Sequence, residues 1–265
     1  MRNWVYRHLL ALGRSRYPRE VSFVAQQLPF GLYAKTIHPR SFNSEPNALR
    51  LLERHAPSVP VPRLIDTFET QGPNGTTTNW FIMTALPGVR AQSVVHRMSY
   101  AERDQLGDDL RAVLEQVARI PNTSPALFAN VSGGPIVEPR LAGKPCGPYS
   151  TEADFNTQMG KPFAHYLLKE IPDAFDRTHR SILVHGDLVL LNVMVDGGRL
   201  SGVIDWEYAN FMPEYWDCAK AIATVWGYAD DVAVLRRVWG DRFDHELEVM
   251  KWLMRVCPAG GGSPT

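Results

Sequence analysis

Between Ser181 and Ala209 the sequence reads SILVHGDLVLLNVMVDGGRLSGVIDWEYA. Two apolar runs, Val193 to Val195 and Leu200 to Ile204, flank the turn Asp196-Gly-Gly-Arg199. Short β-type runs on either side of a Gly-Gly turn form a hairpin. A hairpin folds the chain back on itself, so residues just before its first strand meet residues just after its second. His185-Gly-Asp187-Leu-Val-Leu-Leu-Asn192 lies on the first side and Asp205-Trp-Glu207 on the second. Asp187, Asn192 and Asp205 are therefore expected at one end of a single small sheet.

Two carboxylates and an amide oxygen are hard ligands, suited to Mg²⁺ that keeps waters and phosphate oxygens in its shell. Phosphoryl transfer needs such a metal, together with a carboxylate that orients an attacking hydroxyl and accepts its proton. The spacing H-x-D-x-x-x-x-N matches the kinase catalytic loop, with Gly186 where arginine is usual. The hairpin after it, ending in Ile204-Asp205, adds the context that a short motif needs.

The rest of the chain divides in two. Met1 to Arg19 is basic and weakly amphipathic, with five arginines and no acid before Glu20. It reads either as an Arg-rich targeting segment or as a first helix on the domain surface. Val21 to Leu28 and Phe30 to Ile37 are β-type, joined at Pro29-Phe30-Gly31. In the second run Leu32, Ala34 and Thr36 face one way and Tyr33, Lys35 and Ile37 the other. A helix starts near Ser44, a good N-cap, and ends before Pro57. VPRLIDTFE and Trp80 to Leu86 are further strands, around the turn QGPNGTTTN. Beyond Pro87-Gly88 the chain becomes helical. Ser99 and Glu102 form a capping box for a helix that runs to Pro121. Residues 121–150 are rich in Pro and Gly and read as a long surface loop. A helix opens at Thr151 and is kinked or divided at Pro162. Further helices are expected near 213–227 and 244–256, and the tail 258–265 is expected to be disordered.

Composition removes several function classes. The chain has 265 residues, with 28 Lys plus Arg against 28 Asp plus Glu. Without a basic excess it is a poor general nucleic-acid binder. No apolar run is long enough to span a bilayer. Three cysteines, Cys146, Cys218 and Cys257, are far apart and odd in number, which fits a reducing, cytoplasmic location better than a disulfide framework. There is no G-x-S-x-G elbow and no H-E-x-x-H zinc motif.

HGDLVLLNVMV with the later GVIDWEYANFMPEYWDCAKA resembles the aminoglycoside phosphotransferase and choline kinase-like family, in the branch common among fungal proteins. The resemblance runs from about Phe30 to about Val225. It implies a two-lobed, protein-kinase-like α+β fold, with a reduced β-rich N-lobe over residues 1–86 and a mainly helical C-lobe over 87–257 carrying the catalytic hairpin. The hinge is expected near 84–88. The implied activity is ATP-dependent phosphorylation of a hydroxyl on a small molecule, with Mg²⁺; a monomer is the default expectation, and the composition points to neither nucleic acid nor membrane as a partner. Asp187 would be the catalytic base, and Asn192 and Asp205 would hold Mg²⁺. Lys35 would pair with the nucleotide phosphates, Glu45 would hold that lysine, and the backbone of Ala85 would meet adenine. His185 would brace the loop, and Asp217 would bond it from the next helix. Glu207 stays open between metal, substrate and helix cap.

The sequence departs from that family in several places. Val21 to Leu28 contains no glycine, so no Gly-rich phosphate loop precedes Lys35. Val189, Leu190 and Leu191 are apolar where relatives often carry polar residues. Trp-Glu stands after Asp205 in place of Phe-Gly, as is usual for the resembled family, and no Ala-Pro-Glu segment comes later; both argue against a protein kinase specifically. The missing glycine loop and the apolar insert keep a second reading open: a non-kinase protein whose cleft binds a small molecule or runs another reaction.

Overall fold

The alternation seen in the sequence around Lys35 builds the small lobe. The structure is a computed structural model that describes residues 2–17, 25–37, 44–72, 74–138, 145–161 and 163–256. Strands β1 (Ala25–Leu28), β2 (Leu32–Thr36), β3 (Leu64–Gln71) and β4 (Thr77–Thr84) form an antiparallel sheet in the order β1-β2-β4-β3. Side chains alternate across a strand. Ala34, Trp80 and Ile82 join Leu10, Leu28 and Phe68 on one face, while Phe81 and Met83 belong to the main core on the other. A strand covered on both faces reads as a continuous apolar run, which is why Trp80 to Met83 has no polar interruption.

Helix α1 (Arg2–Arg16) covers the outer face. Leu10 is buried there, and Tyr6 Oη donates to Asp66 Oδ2 at 2.8 Å. A Cβ on Gly13 would lie 2.5 Å from the Gln27 carbonyl oxygen, so the helix backbone rests directly on β1. The basic segment is thus a first helix docked on the lobe. Helix α2 (Ser44–His55) covers the inner face with Ala48, Leu49 and Leu52.

After Thr84 the chain crosses to the large lobe. Gly88 has φ +90°, and a Cβ there would lie 1.9 Å from the Val195 carbonyl oxygen. Only glycine permits that approach. Strand β5 (Val89–Arg90) then pairs with β8 (Val193–Asp196), which pairs with β9 (Arg199–Val203). Gly197 and Gly198 have φ +56° and +79°, the positive pair that a tight hairpin turn demands. A third sheet has the order β6-β10-β7, from Ala129–Asn130 (β6), Ser181–Val184 (β7) and Asn210–Pro213 (β10). Helices α3 (Tyr100–Val117), α4 (Glu152–Gly160), α5 (Ala164–Glu170), α6 (Trp216–Thr224), α7 (Ala229–Trp239) and α8 (Asp244–Val256) complete this lobe. Ser99 and Glu102 form the capping box expected at the start of α3. None of the described helices is long and apolar enough to cross a membrane.

The structure differs from the sequence reading in three places. Residues 121–150 are not a plain surface loop: Phe128 pairs with Tyr149 and Ile136 with Cys146, and Phe128, Ile136 and Glu138 are buried. Isolated bridges leave no periodic signature, so Pro and Gly dominate the pattern there. Helix α7 is an addition to the expected helices; Val234, Leu235 and Val238 give it a buried stripe at helical spacing. The strand expected from Val21 is described only over Ala25–Leu28. Residues 18–24, Pro162 and the tail from 257 lie outside the described residues, although α4 and α5 end and begin on either side of Pro162.

Candidate active site

Lys35 sits on β2 with its side chain turned inward, and Glu45 sits in the first turn of α2. Lys35 Nζ donates to Glu45 Oε2 at 2.6 Å and to Asp205 Oδ1 at 2.5 Å. Glu207 Oε2 lies 3.4 Å from the same ammonium. The other Glu45 oxygen accepts the Trp206 N–H at 3.3 Å. Lysine, helix glutamate and the acid beyond the hairpin thus form one cluster across the two lobes. Burial disfavours the Lys35 charge, but Glu45, Asp205 and Glu207 outweigh it and hold its pKa above the ordinary value. Glu45 is also pushed up, chiefly by burial; Lys35 opposes that rise, and the like charges of Asp205 and Glu207 add to it.

Asp205 adopts a left-handed conformation, φ 66° and ψ 58°, at the start of a short 3-10 turn over Trp206–Tyr208. Among non-glycine residues Asp tolerates this region best, alongside Asn. Trp206 is fully buried and donates its Nε1–H to the Val203 carbonyl at 3.0 Å, so it packs rather than binds.

The loop from His185 to Asn192 is held at several points. Asp217, in the first turn of α6, accepts the N–H groups of His185 and Gly186, each at 2.8 Å. His185 is buried; its Nε2 faces the Ile204 carbonyl at 2.8 Å, and its Nδ1 faces the Asp187 N–H at 3.2 Å. A carbonyl only accepts and an amide only donates, so the ring is neutral with its proton on Nε2. Asn192 donates Nδ2–H to the Asp187 carbonyl at 2.9 Å and accepts the Ile204 N–H on its own backbone carbonyl at 2.9 Å. Gly186 has φ +82°, and a Cβ there would lie 2.1 Å from the Tyr208 carbonyl oxygen. No side chain fits, which explains glycine where arginine is usual. The Asp187 carboxylate itself makes no hydrogen bond or ion pair with any described residue.

A cleft of about 300 Å³ between the lobes is lined by Lys35, Glu45, Met83, Ala85, Met194 and Asp205, among others. Asp187 and Asn192 lie outside that lining and connect to it through Ile204. Ala85 lines the cleft, but its N–H donates to the Gly31 carbonyl at 2.7 Å. Of the apolar insert, Leu190 is buried in the core and Leu191 is exposed.

Glu45, Asp205 and Glu207 each offer an oxygen within 4.8 Å of one another, a spacing that suits one cation. The Asn192 side-chain oxygen makes no hydrogen bond with a described residue, while its Nδ2 is spent on the Asp187 carbonyl. This all-oxygen donor set fits Mg²⁺. Two further buried charges, Glu138 and Lys220, reach the same loop, and sequence reasoning misses both. Lys220 stands in the run EYWDCAKA, where a lysine among helix-forming apolar residues is the available signal.

Residues 19–253 match the profile of the phosphotransferase enzyme family. No curated protein matches the sequence. Among solved structures the chain is similar to aminoglycoside phosphotransferase APH(4)-Ia, at 15% identity over 99% of this chain and 100% of that one, with a TM-score of 0.56. A thermostable mutant of the same enzyme, in ternary complex with AMP-PNP and hygromycin B, gives 15% identity, 96% and 99% coverage, and a TM-score of 0.55. The GDP and kanamycin complex of APH(2")-IIia gives 13% identity, 95% and 89% coverage, and a TM-score of 0.62.

Proposed function

Because the chain belongs to the phosphotransferase enzyme family and has the two-lobed, protein-kinase-like fold, we propose that it transfers the γ-phosphoryl group of ATP to a hydroxyl on a small molecule. One observation carries the reading. The Asp187 backbone is fixed by His185 and Asn192, while its carboxylate has no partner among the described residues. A carboxylate that is positioned but unpaired is what a proton acceptor requires.

In the proposed reaction the acceptor oxygen forms a bond to the γ-phosphorus as the bond from that phosphorus to the β–γ bridging oxygen breaks. ADP leaves, and the hydroxyl proton passes to Asp187 and then to solvent. Lys35, kept charged by its three acidic neighbours, binds phosphate oxygens. The Ala85 carbonyl accepts from the exocyclic amine of adenine. Asn192 and Asp205 would hold Mg²⁺, with Glu207 beside them; bound there, the metal neutralises charge on the transferring group. The neighbours with aminoglycosides bound support a small-molecule acceptor.

The test is titration of MgATP into the wild type and Asp187→Asn, and then ADP release across a panel of small hydroxyl compounds. Binding in both proteins is expected, with turnover at least about a hundredfold lower in the variant. Equal turnover would remove Asp187 from the reaction, and a wild type that does not bind MgATP would overturn the reading.

A further inference from the structure

Glycine at position 186 leaves the peptide before Asp187 free to turn unless something holds it. Its N–H is held by Asp217. Its carbonyl accepts from Lys220 Nζ at 2.5 Å. Asp217 and Lys220 stand three residues apart on α6, on one face of the helix. One helix therefore holds the two peptide units that flank the Gly186 Cα, the second of which leads into Asp187. The side chains of Lys220 and Glu138 are 7% and 0% exposed, and Nζ donates to the two Glu138 oxygens at 2.9 and 2.8 Å. The Tyr208 ring covers the ammonium, 5.6 Å from its centroid. These three acceptors account for the three ammonium protons.

A buried ion pair is a poor device for stability alone, since apolar residues of similar volume serve as well. A bare apolar pair, however, would leave the Gly186 carbonyl without its donor. We propose that Lys220, oriented by Glu138, is a positioning residue that fixes Gly186 and hence the direction from which Asp187 enters the site. The proposal rests on the phosphotransferase reading for its consequence in catalysis, while the clamp on Gly186 can be read without turnover. Glu138 belongs to the 121–150 segment, so the clamp also ties that segment to the loop.

The experiment compares the wild type, Lys220→Met/Glu138→Leu, Glu138→Gln and Asp187→Asn. The double variant removes both members of the Lys220–Glu138 pair together, so neither is left facing the other's absence. Three quantities are read: MgATP hydrolysis with water as acceptor, thermal unfolding, and amide hydrogen exchange by mass spectrometry. The double variant is expected to lose about ten- to a hundredfold in kcat, with KM for MgATP within about twofold of wild type. Exchange should quicken over residues 185–187 and not elsewhere in the large lobe. Glu138→Gln, which keeps an acceptor for Lys220, should shift kcat in the same direction by less. A role confined to stability would lower the unfolding temperature without splitting kcat from KM, and that result would overturn the proposal. So would unchanged kcat and unchanged exchange in both variants. If the wild type hydrolyses no faster than Asp187→Asn, water is not an acceptor and kcat says nothing of the clamp, so local exchange over residues 185–187 alone decides it. Should the double variant not fold, Glu138→Gln decides by the same readouts.

Discussion

Replacing Gly186 with alanine tests how tightly the loop is built. Two costs add. An L-residue held at φ +82° pays about 1–2 kcal/mol for the left-handed conformation. The new methyl would also lie 2.1 Å from the Tyr208 carbonyl oxygen, a backbone atom that cannot rotate away. Overpacking of that kind costs about 1–3 kcal/mol. The sum is roughly 2–5 kcal/mol, or a fall in unfolding temperature of about 4–20 °C for a chain of this size. Gly197→Ala supplies the control, because Gly197 has φ +56° and nothing within 4 Å of its would-be Cβ. It carries the conformational cost alone, about 1–2 kcal/mol. Thermal unfolding of the two variants side by side isolates the contact with Tyr208. Equal unfolding temperatures would refute the close approach, and with it the explanation for glycine in this loop.

The charges and the buried thiol give further expected outcomes. Lys35→Met strips Glu45 of its cation in a buried site and should destabilise the protein by about 3–5 kcal/mol in thermal unfolding without nucleotide. Asp205→Asn keeps an acceptor for Lys35 and suits the left-handed conformation, so it should leave unfolding within about 0.5 kcal/mol while weakening MgATP binding; equal loss in both variants would contradict the shared-lysine picture. Burial pushes the Cys218 thiol from 9.0 to about 12, so at pH 8 only roughly one in ten thousand is thiolate, and iodoacetamide should label it only as the protein unfolds. The same raised pKa means that its contribution to stability is complete below pH 9 and is lost as pH rises towards 12; a Cys218→Ala variant should lack that part of the alkaline slope.

The hairpin was legible because its turn, strands and flanking polar residues all lie within thirty contiguous positions and each obeys a local rule. A Gly-Gly turn needs no distant partner, and the structure closes it with positive φ at both glycines. The alternation over Leu32 to Ile37 was equally local, and it turned Lys35 away from the α1 face. The pairing of Lys35 with Glu45 lay one step further off. Spacing supplied a strand lysine and a helix-start glutamate, and the family resemblance joined them. That Glu207 shares the same ammonium needed the folded turn at Asp205, whose left-handed backbone is set by no neighbouring residue type.

Glu138 and Lys220 were illegible for a different reason. They are 82 residues apart and lie in segments with opposite compositional signals, one rich in Pro and Gly and the other helical. A charged residue in either setting reads as solvated surface, since lysine and glutamate are rarely buried unless paired. Pairing is the information that sequence periodicity does not carry. Once folded, the same fact runs in reverse. A buried lysine must have partners, and its third partner is the carbonyl of the glycine before Asp187. The glycine is forced by the Tyr208 carbonyl, glycine is the residue least able to hold its own conformation, and the clamp answers that weakness. Steric demand at one atom thus calls for an electrostatic device two elements away. That link between them, and not either residue alone, is what the sequence could not display.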